Sequence, residues 1–353
     1  MTRYNLKSLS TMKTRDSNME LLRIVAMLMV VLVHTCFCTT GTPTKADVSV
    51  EPIISFFRLF IPACTIVCVN LFVLISGWFG IKHNKKSFLN LTFQVIFFLL
   101  ITLPFAFLNR NEVSSNEIFS FLLLEDYDNW WFVKSYFLLY LLSPVLNSFT
   151  EKSTEKEMRI VLCGFYCFMF SWGWLIPGVK WFYNGYSTIS FMGLYLLARY
   201  CNLYANKISF LSKNKCLLGY VFITLLLAVS SYLIVILMNG PTKNVVHMLY
   251  DYNSPFVVVS SLFLFLYFSK LSFQSRMINR IARSVFAVYL FHTSKFVFPI
   301  FIITLFDFYH SHPYYLYLLF SIATTFIVFL ISIMIDSVRI AMWQRLISRI
   351  VKS

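Results

Sequence analysis

The chain alternates long apolar runs with short polar segments that are mostly basic. Ten runs are long enough to cross a bilayer: 21–38, 53–79, 88–108, 130–147, 158–177, 181–199, 216–238, 254–273, 284–306 and 313–335. Each is near the roughly 20 residues a helix needs, at 1.5 Å per residue, to traverse a hydrocarbon core about 30 Å thick. The sixth run is interrupted by Asn184, Gly185 and several hydroxyls, and the eighth is also weak. No small-residue cleavage site follows the first run, so it reads as a retained helix and not as a signal peptide. No low-complexity segment or internal repeat stands out. The pattern predicts an all-α fold, a polytopic membrane helix bundle of about ten transmembrane helices. Residues 1–20 form a cytoplasmic N-terminal segment, 21–338 the transmembrane domain and 339–353 a basic cytoplasmic tail.

Composition agrees. Hydrophobic residues make up 58% of the chain and charged ones 13%, against about half and a quarter in soluble domains, which leaves no room for a separate soluble domain. The formal net charge of +15 would suggest nucleic acid in a soluble protein. Here the placement of the charge says otherwise. Among the 30 Lys and Arg, only Lys45, Arg110, Lys180 and Lys243 fall in odd-numbered loops, and only Arg58, Lys134 and Lys295 lie more than three residues inside a run. All the others lie in even-numbered loops or near the two ends, which puts both termini on the cytoplasmic side by the positive-inside rule. Adding or removing one helix would scramble that alternation. The expected surroundings are a lipid bilayer, the plasma (inner) membrane, with no nucleic acid partner. Of the eight cysteines, Cys64 and Cys68, like Cys163 and Cys167, share a helix face without further ligands at metal spacing, so no metal site is expected.

Ionisable groups inside spans cost at least ~2.5 kcal/mol each at the bilayer centre, so they mark function by default. Arg58 and Lys134 lie a few residues inside the outer ends of the second and fourth runs. They either snorkel or pair, Lys134 with Glu125, Asp126 or Asp128, or else they serve a ligand. The first run is the most informative. Arg23 and His34 are eleven residues apart, close to three turns, so they point to nearly the same side about 16 Å apart. A fixed cation and a titratable imidazole on one face suit an elongated anionic ligand, with arginine on phosphate and histidine as general base. Taken singly, Arg23 also reads as an orientation anchor and His34 as a partner in a helix–helix hydrogen bond.

The segment Glu20-Leu-Leu-Arg23-Ile-Val-Ala-Met-Leu-Met-Val-Val-Leu-Val-His34 resembles the first helix of the acyltransferase 3 family. Within that family it resembles bacterial surface-polysaccharide O-acetyltransferases, such as that of enterobacterial common antigen. Asn70–Phe79, with Ser76-Gly77-Trp78, is similar to the end of the family's second helix. Trp131–Asn147, with Tyr140 and Ser143-Pro144, is similar to its fourth. Gly193–Arg199 and Ala282–His292 match later segments, in order, over about residues 18–300. The chain departs from the pattern at Ile66–Val69, where close relatives carry an arginine; Arg58 lies about three turns before Asn70.

The resemblance implies a membrane O-acyltransferase that moves an acetyl group from cytoplasmic acetyl-CoA to a sugar hydroxyl of a cell-surface polysaccharide or its lipid-linked precursor. Arg23 and His34 match the family's essential pair. Lys82, Lys85 and Lys86 fall where the family carries a basic inner loop, so Arg23 and these lysines are expected to hold the coenzyme A phosphates. The acyl-CoA donor is a substrate; no permanently bound cofactor is expected. His34 acts either as base or as the site of an acyl intermediate. Candidates for contact with the glycan are Trp131, Lys134, His292 and Arg58. His292 reads equally as a packing residue, and the aromatics equally as an interfacial belt. The rival reading is a glycan exporter or flippase without acyl-transfer chemistry, which has no need of a phosphate-holding Arg23 aligned with a base at His34. A glycan polymerase would need larger outer loops than the acidic stretch around 109–129.

Overall fold

The computed structural model describes residues 16–108, 113–125, 130–176, 181–238 and 242–350. The expectations placed on Arg3, Lys7, Lys13, Arg15, Arg110, Asp126, Asp128, Lys180 and Lys352 lie outside these residues. Among the described residues every regular element is helical. In chain order these are α1 (Ser17–Thr35), α2 (Lys45–Val50), α3 (Pro52–Thr65), α4 (Cys68–Phe79), α5 (Lys85–Thr102), α6 (Ser115–Leu123), α7 (Trp131–Lys152) and α8 (Glu155–Phe168). They continue with α9 (Thr188–Leu203), α10 (Lys213–Leu237), α11 (Thr242–Leu249), α12 (Pro255–Ser269), α13 (Arg276–Ile281), α14 (Val285–His292), α15 (Phe298–Ser311) and α16 (Tyr314–Ile350). Seven helical stretches among the described residues are long and apolar enough to cross a membrane, and α12 and α15 are shorter apolar helices. Leu218 and Phe222 of α10 and Leu319, Phe326 and Leu330 of α16 are exposed on the outside of the bundle. A helix keeps its backbone bonds within itself, so such faces can meet hydrocarbon without exposing polar groups.

Two of the predicted runs are divided between two α-helices, each for a local reason. The run 53–79 divides into α3 and α4 at Ile66 and Val67. Pro62 lies inside α3, and the Thr65 hydroxyl donates back to the Ile61 carbonyl at 3.0 Å; both weaken regular helical bonding. The run 284–306 divides at Thr293–Val297, between α14 and α15. Pro299 has no N–H with which to bond the carbonyl four residues back, so it sits in the first turn of a new helix. The Ser294 hydroxyl in this break donates to Thr102 at 2.8 Å, so α5 closes over it. Lys295, expected inside a helix, therefore stands at a break between two. At the other end of the chain, α16 continues past residue 338, and the segment expected as a tail is helical to Ile350.

The first helix is the axis of the bundle, packing against α3, α4, α12, α13, α14 and α16. At its start, Ser17 Oγ bridges the Asn279 side chain at 2.9 Å and the Ser275 N–H at 2.9 Å. At its end, the Tyr317 hydroxyl donates to the Thr35 carbonyl at 2.6 Å. Further buried polar contacts tie α5 to α16. Asp336 Oδ1 accepts from Arg339 Nε at 2.8 Å and from Gln94 Nε2 at 3.1 Å, while Arg339 Nη1 donates to Asn90 Oδ1 at 2.9 Å. The arginine and aspartate side chains are 3% and 0% exposed, so each charge has its counter-charge where water is absent.

Helices α4 and α9 approach most closely at Gly77. A Cβ there would lie 2.4 Å from the Tyr195 carbonyl oxygen and 2.8 Å from its Cα, both backbone atoms that cannot swing away. Gly77→Leu is therefore expected to lower the thermal stability of the detergent-extracted protein by at least the ~1–3 kcal/mol of ordinary overpacking. Gly164→Leu on α8, where a Cβ meets nothing within 4 Å, should leave the melting curve nearly unchanged.

Candidate active site

The continuous helix α1 carries Arg23, Met27, Val30 and His34 on one face, at spacings of four, three and four residues. A cavity of about 250 Å³ opens against this face, and Met27, Val30 and His34 line it. Arg23 stands one turn beyond Met27, at the end of the stripe and outside the lining. Past Thr35 the helix widens into a π-helical turn, Cys36–Thr40, from which Phe37 and Cys38 reach the cavity. Such turns are frequent at functional sites because they re-aim side chains without ending the helix. Ile66, at the break between α3 and α4, forms part of another wall.

Opposite α1 the wall is aromatic. Trp131 opens α7 and lies 4.3 Å from Tyr186 and 5.9 Å from Tyr252, ring centre to ring centre, the latter at an interplanar angle of 30°. Gly185, at φ +91°, lets this wall close: a Cβ there would lie 2.5 Å from Tyr252 Cβ and 2.6 Å from the Asn253 nitrogen. Tyr252 N–H donates to the Asn184 carbonyl at 3.0 Å, and its own carbonyl accepts from Asn70 Nδ2 at 2.9 Å. Asn184 and Gly185, the interruption that made the sixth run weak, thus form the turn that seats Tyr252.

The state of His34 follows from its neighbours. His292 Nδ1 faces the Val288 carbonyl one turn back in α14. A carbonyl only accepts, so Nδ1 carries the hydrogen and Nε2 the lone pair. His292 Nε2 lies 3.1 Å from His34 Nδ1, which must therefore donate. The ring of His34 is left with Nε2 as its only lone-pair nitrogen. Phe298 meets the same ring edge-on at 5.4 Å. His292 is fully buried and lies behind His34; it does not line the cavity. The structure thus brings together Trp131, His34 and His292 from the sequence-derived set.

The other candidates lie elsewhere. Arg23 Nη1 donates to both oxygens of Glu20, at 2.9 and 3.1 Å, a partner one turn earlier in the same motif. Arg58 bonds the Thr40 carbonyl and pairs with Asp47 at 3.3 Å, which pins the exit of α1 to α2 and α3. Lys134, one turn into α7, does not line the cavity. Lys82, Lys85 and Lys86 are exposed around the loop joining α4 to α5. That loop is held in place by motif residues from two other helices. Ile81 N–H donates to the Tyr195 hydroxyl at 2.9 Å, which donates to Asn147 Oδ1 at 2.6 Å, and Asn147 Nδ2 donates to the Ile81 carbonyl at 2.9 Å. Arg199 reaches the same loop: its Nη1 lies 3.2 Å from where a Cβ on Gly80 would be. In the sequence Arg199 reads only as a loop charge within a motif, so its addition to the lysines comes from the structure.

Sequence reasoning also passed over Asp251 and His247, which line the cavity from the segment joining α11 to α12 and from α11. The visible signal was a carboxylate set in Tyr250-Asp251-Tyr252, in a chain with few acids. The Thr42 hydroxyl lies 2.9 Å from His247 Nε2. Burial, with Lys243 nearby, holds His247 below the ordinary imidazole range. Burial pushes the Asp251 carboxyl up to about 7. Folding therefore binds a proton that an unfolded aspartate, near 3.8, has already released, and stability is lost as pH rises between those values. Asp251→Asn is expected to resist denaturation better than the parent protein, with the advantage widening by roughly 2–3 kcal/mol from pH 5 to pH 8, at 1.36 kcal/mol per pKa unit. Denaturation followed at both pH values checks this.

Comparison with known proteins adds one match. The family model described as an acyltransferase domain, that of the acyltransferase 3 family, matches residues 16–336. No curated protein and no solved structure matches the chain significantly. The matched residues take in α1 and its paired histidines, the aromatic wall and the Gly80–Asn84 loop, together with nearly all of the described bundle. The chain therefore belongs to the acyltransferase 3 family, and is a multi-pass helical membrane acyltransferase.

Proposed function

We propose that this protein is an O-acetyltransferase of the plasma (inner) membrane, moving an acetyl group from acetyl-CoA to a sugar hydroxyl of a cell-surface polysaccharide or its lipid-linked precursor. The observation that carries the reading is the relay from the Val288 carbonyl through His292 to His34, which leaves a single basic nitrogen on a ring that lines the cavity. A sugar hydroxyl is a poor nucleophile at neutral pH and needs a positioned proton acceptor. In the proposed step, His34 Nε2 takes the hydroxyl proton as the oxygen attacks the thioester carbonyl. The carbon–sulfur bond then breaks, and the proton passes to the departing coenzyme A thiolate. The positive charge that develops on His34 is shared with His292 through the bond between them.

The stripe Arg23, Met27, Val30, His34 fits the donor. The three turns between its ends are of the order of an extended pantetheine arm, so the acetyl group reaches His34 while the phosphates rest near Arg23. Glu20 engages only one nitrogen of Arg23, and a guanidinium has five N–H donors. Because Glu20 offsets much of the arginine's charge, phosphate binding falls also to Lys82, Lys85, Lys86 and Arg199. On the orientation given by the basic loops, this end faces the cytoplasm, where acetyl-CoA is made.

Purified protein supplied with labelled acetyl-CoA and O-deacetylated surface glycan from a deletion strain is expected to transfer label to glycan and release coenzyme A. His34→Ala should reduce turnover on the order of 10²–10⁴-fold, the usual worth of a general base. Normal acetylation by the alanine variant, or no coenzyme A release by the parent protein, would refute the reading. His292 is a positioning residue on this account. His292→Phe should lower kcat on the order of 10²-fold, as a reacting group displaced by about 1 Å does, and leave the KM for acetyl-CoA unchanged. His292→Gln, whose amide oxygen can accept from His34 Nδ1–H, should recover part of the loss. A purely packing role for His292 predicts no such recovery.

A further inference from the structure

The acyl-transfer step above makes no use of Asp251. This carboxylate lines the same cavity as His34. Among the described residues its backbone is bonded on both sides, Asp251 N–H to the Met248 carbonyl at 3.4 Å and Ser254 N–H to the Asp251 carbonyl at 2.9 Å. No hydrogen bond or ion pair from the described residues reaches its side chain. The segment around it is held at every neighbouring residue. The Tyr250 hydroxyl donates to the Leu59 carbonyl at 2.9 Å, Tyr252 is fixed by Asn184 and Asn70, and Asn253 Nδ2 donates to the Gly173 carbonyl at 2.7 Å. The carboxylate is therefore preorganised, and its oxygens need donors that the described residues do not supply.

We infer that Asp251 is the acceptor-binding carboxylate of the cavity, taking hydrogens from two neighbouring hydroxyls of a neutral sugar whose ring lies against Trp131 and Tyr252. The inference rests on the acyl-transfer reading and names the class of acceptor. An ionised carboxylate only accepts, and can take two O–H donors at once. The flat faces of Trp131 and Tyr252 cover the apolar side of a pyranose. A carboxylate or phosphate on the sugar would meet Asp251 with like charge in a half-buried site, where screening is weak. His247 offsets this little, since burial and the nearby Lys243 disfavour its charged form. Burial acts against ionisation of Asp251 itself, so the folded protein carries a destabilising group at the point where a ligand's hydroxyls would stabilise it.

Asp251→Asn keeps the shape, loses the charge and is expected to fold at least as well as the parent protein. With labelled acetyl-CoA and O-deacetylated glycan from the deletion strain, its acceptor KM should rise about tenfold to a hundredfold, the worth of hydrogen bonds to a charged group. Its KM for acetyl-CoA and its turnover at saturating glycan should stay near the parent values. NMR of the glycan should place the O-acetyl group lost on deletion on a neutral sugar with a free neighbouring hydroxyl. An unchanged acceptor KM, a fall in kcat with KM intact, or an O-acetyl group on a uronate or other anionic sugar would overturn the inference and leave acyl transfer standing. Absence of transfer by the parent protein would overturn both.

Discussion

The hydrogen bond between His34 and His292 is the contact on which the cavity depends. It joins side chains 258 residues apart, so it forms only when α14 has docked against α1. Two imidazoles can share one hydrogen bond in either direction, and a free pair would be undecided. The Val288 carbonyl decides it, because a carbonyl can only accept. A backbone group inside one helix thereby sets which nitrogen of another helix keeps its lone pair. The arrangement is a relay in which histidine stands where many hydrolytic sites place a carboxylate. It needs no formal charge on either imidazole, which suits a ring set in a membrane-spanning helix.

The cavity exists because the surrounding helices are interrupted. Irregular backbone at membrane depth is tolerated where it is buried in protein or faces a polar space. Here the interruptions fall at such places: the π-helical turn after α1, the break at Ile66–Val67, and the turn at Asn184–Gly185. The break at Thr293–Val297 ends α14 directly after His292 and lets Phe298 of α15 return onto the face of His34. Each gives up a few regular backbone bonds and gains a direction for one side chain.

Much of this was legible in the sequence, and the limits have physical causes. Runs of about twenty apolar residues report the bundle because lipid imposes that length. The match of Arg23 with His34 reports one face of α1 because helical periodicity is rigid. Periodicity is less sensitive to breaks: the run 284–306 is apolar throughout, and only Pro299 and the adjacent Thr293-Ser294 announce the gap. Contacts between distant residues leave no trace in spacing. His292 was visible as a buried imidazole, but its partner was not, since that depends on how α14 packs on α1. Asp251 was passed over for the opposite reason. It lies between runs, where a charge is ordinarily solvated, and only the closure of the aromatic wall makes it part of the cavity. Arg58 looked functional because it lies within an apolar run, yet its partners are the chain's own Thr40 and Asp47.

The buried pair of Asp336 and Arg339 has a consequence for how the protein is made. The two residues are one turn apart, so they meet as soon as that turn of α16 forms, without help from any other helix. A lone charge buried toward the end of a span is costly, the penalty rising to about 2.5–3.5 kcal/mol at mid-membrane. Neutralised within its own helix, α16 can leave the translocon as a self-sufficient unit and find Asn90 and Gln94 afterwards. Glu20 and Arg23 have the same spacing near the start of α1. The first and last helices of the bundle can thus each enter the bilayer before the interior that will hold them has been built.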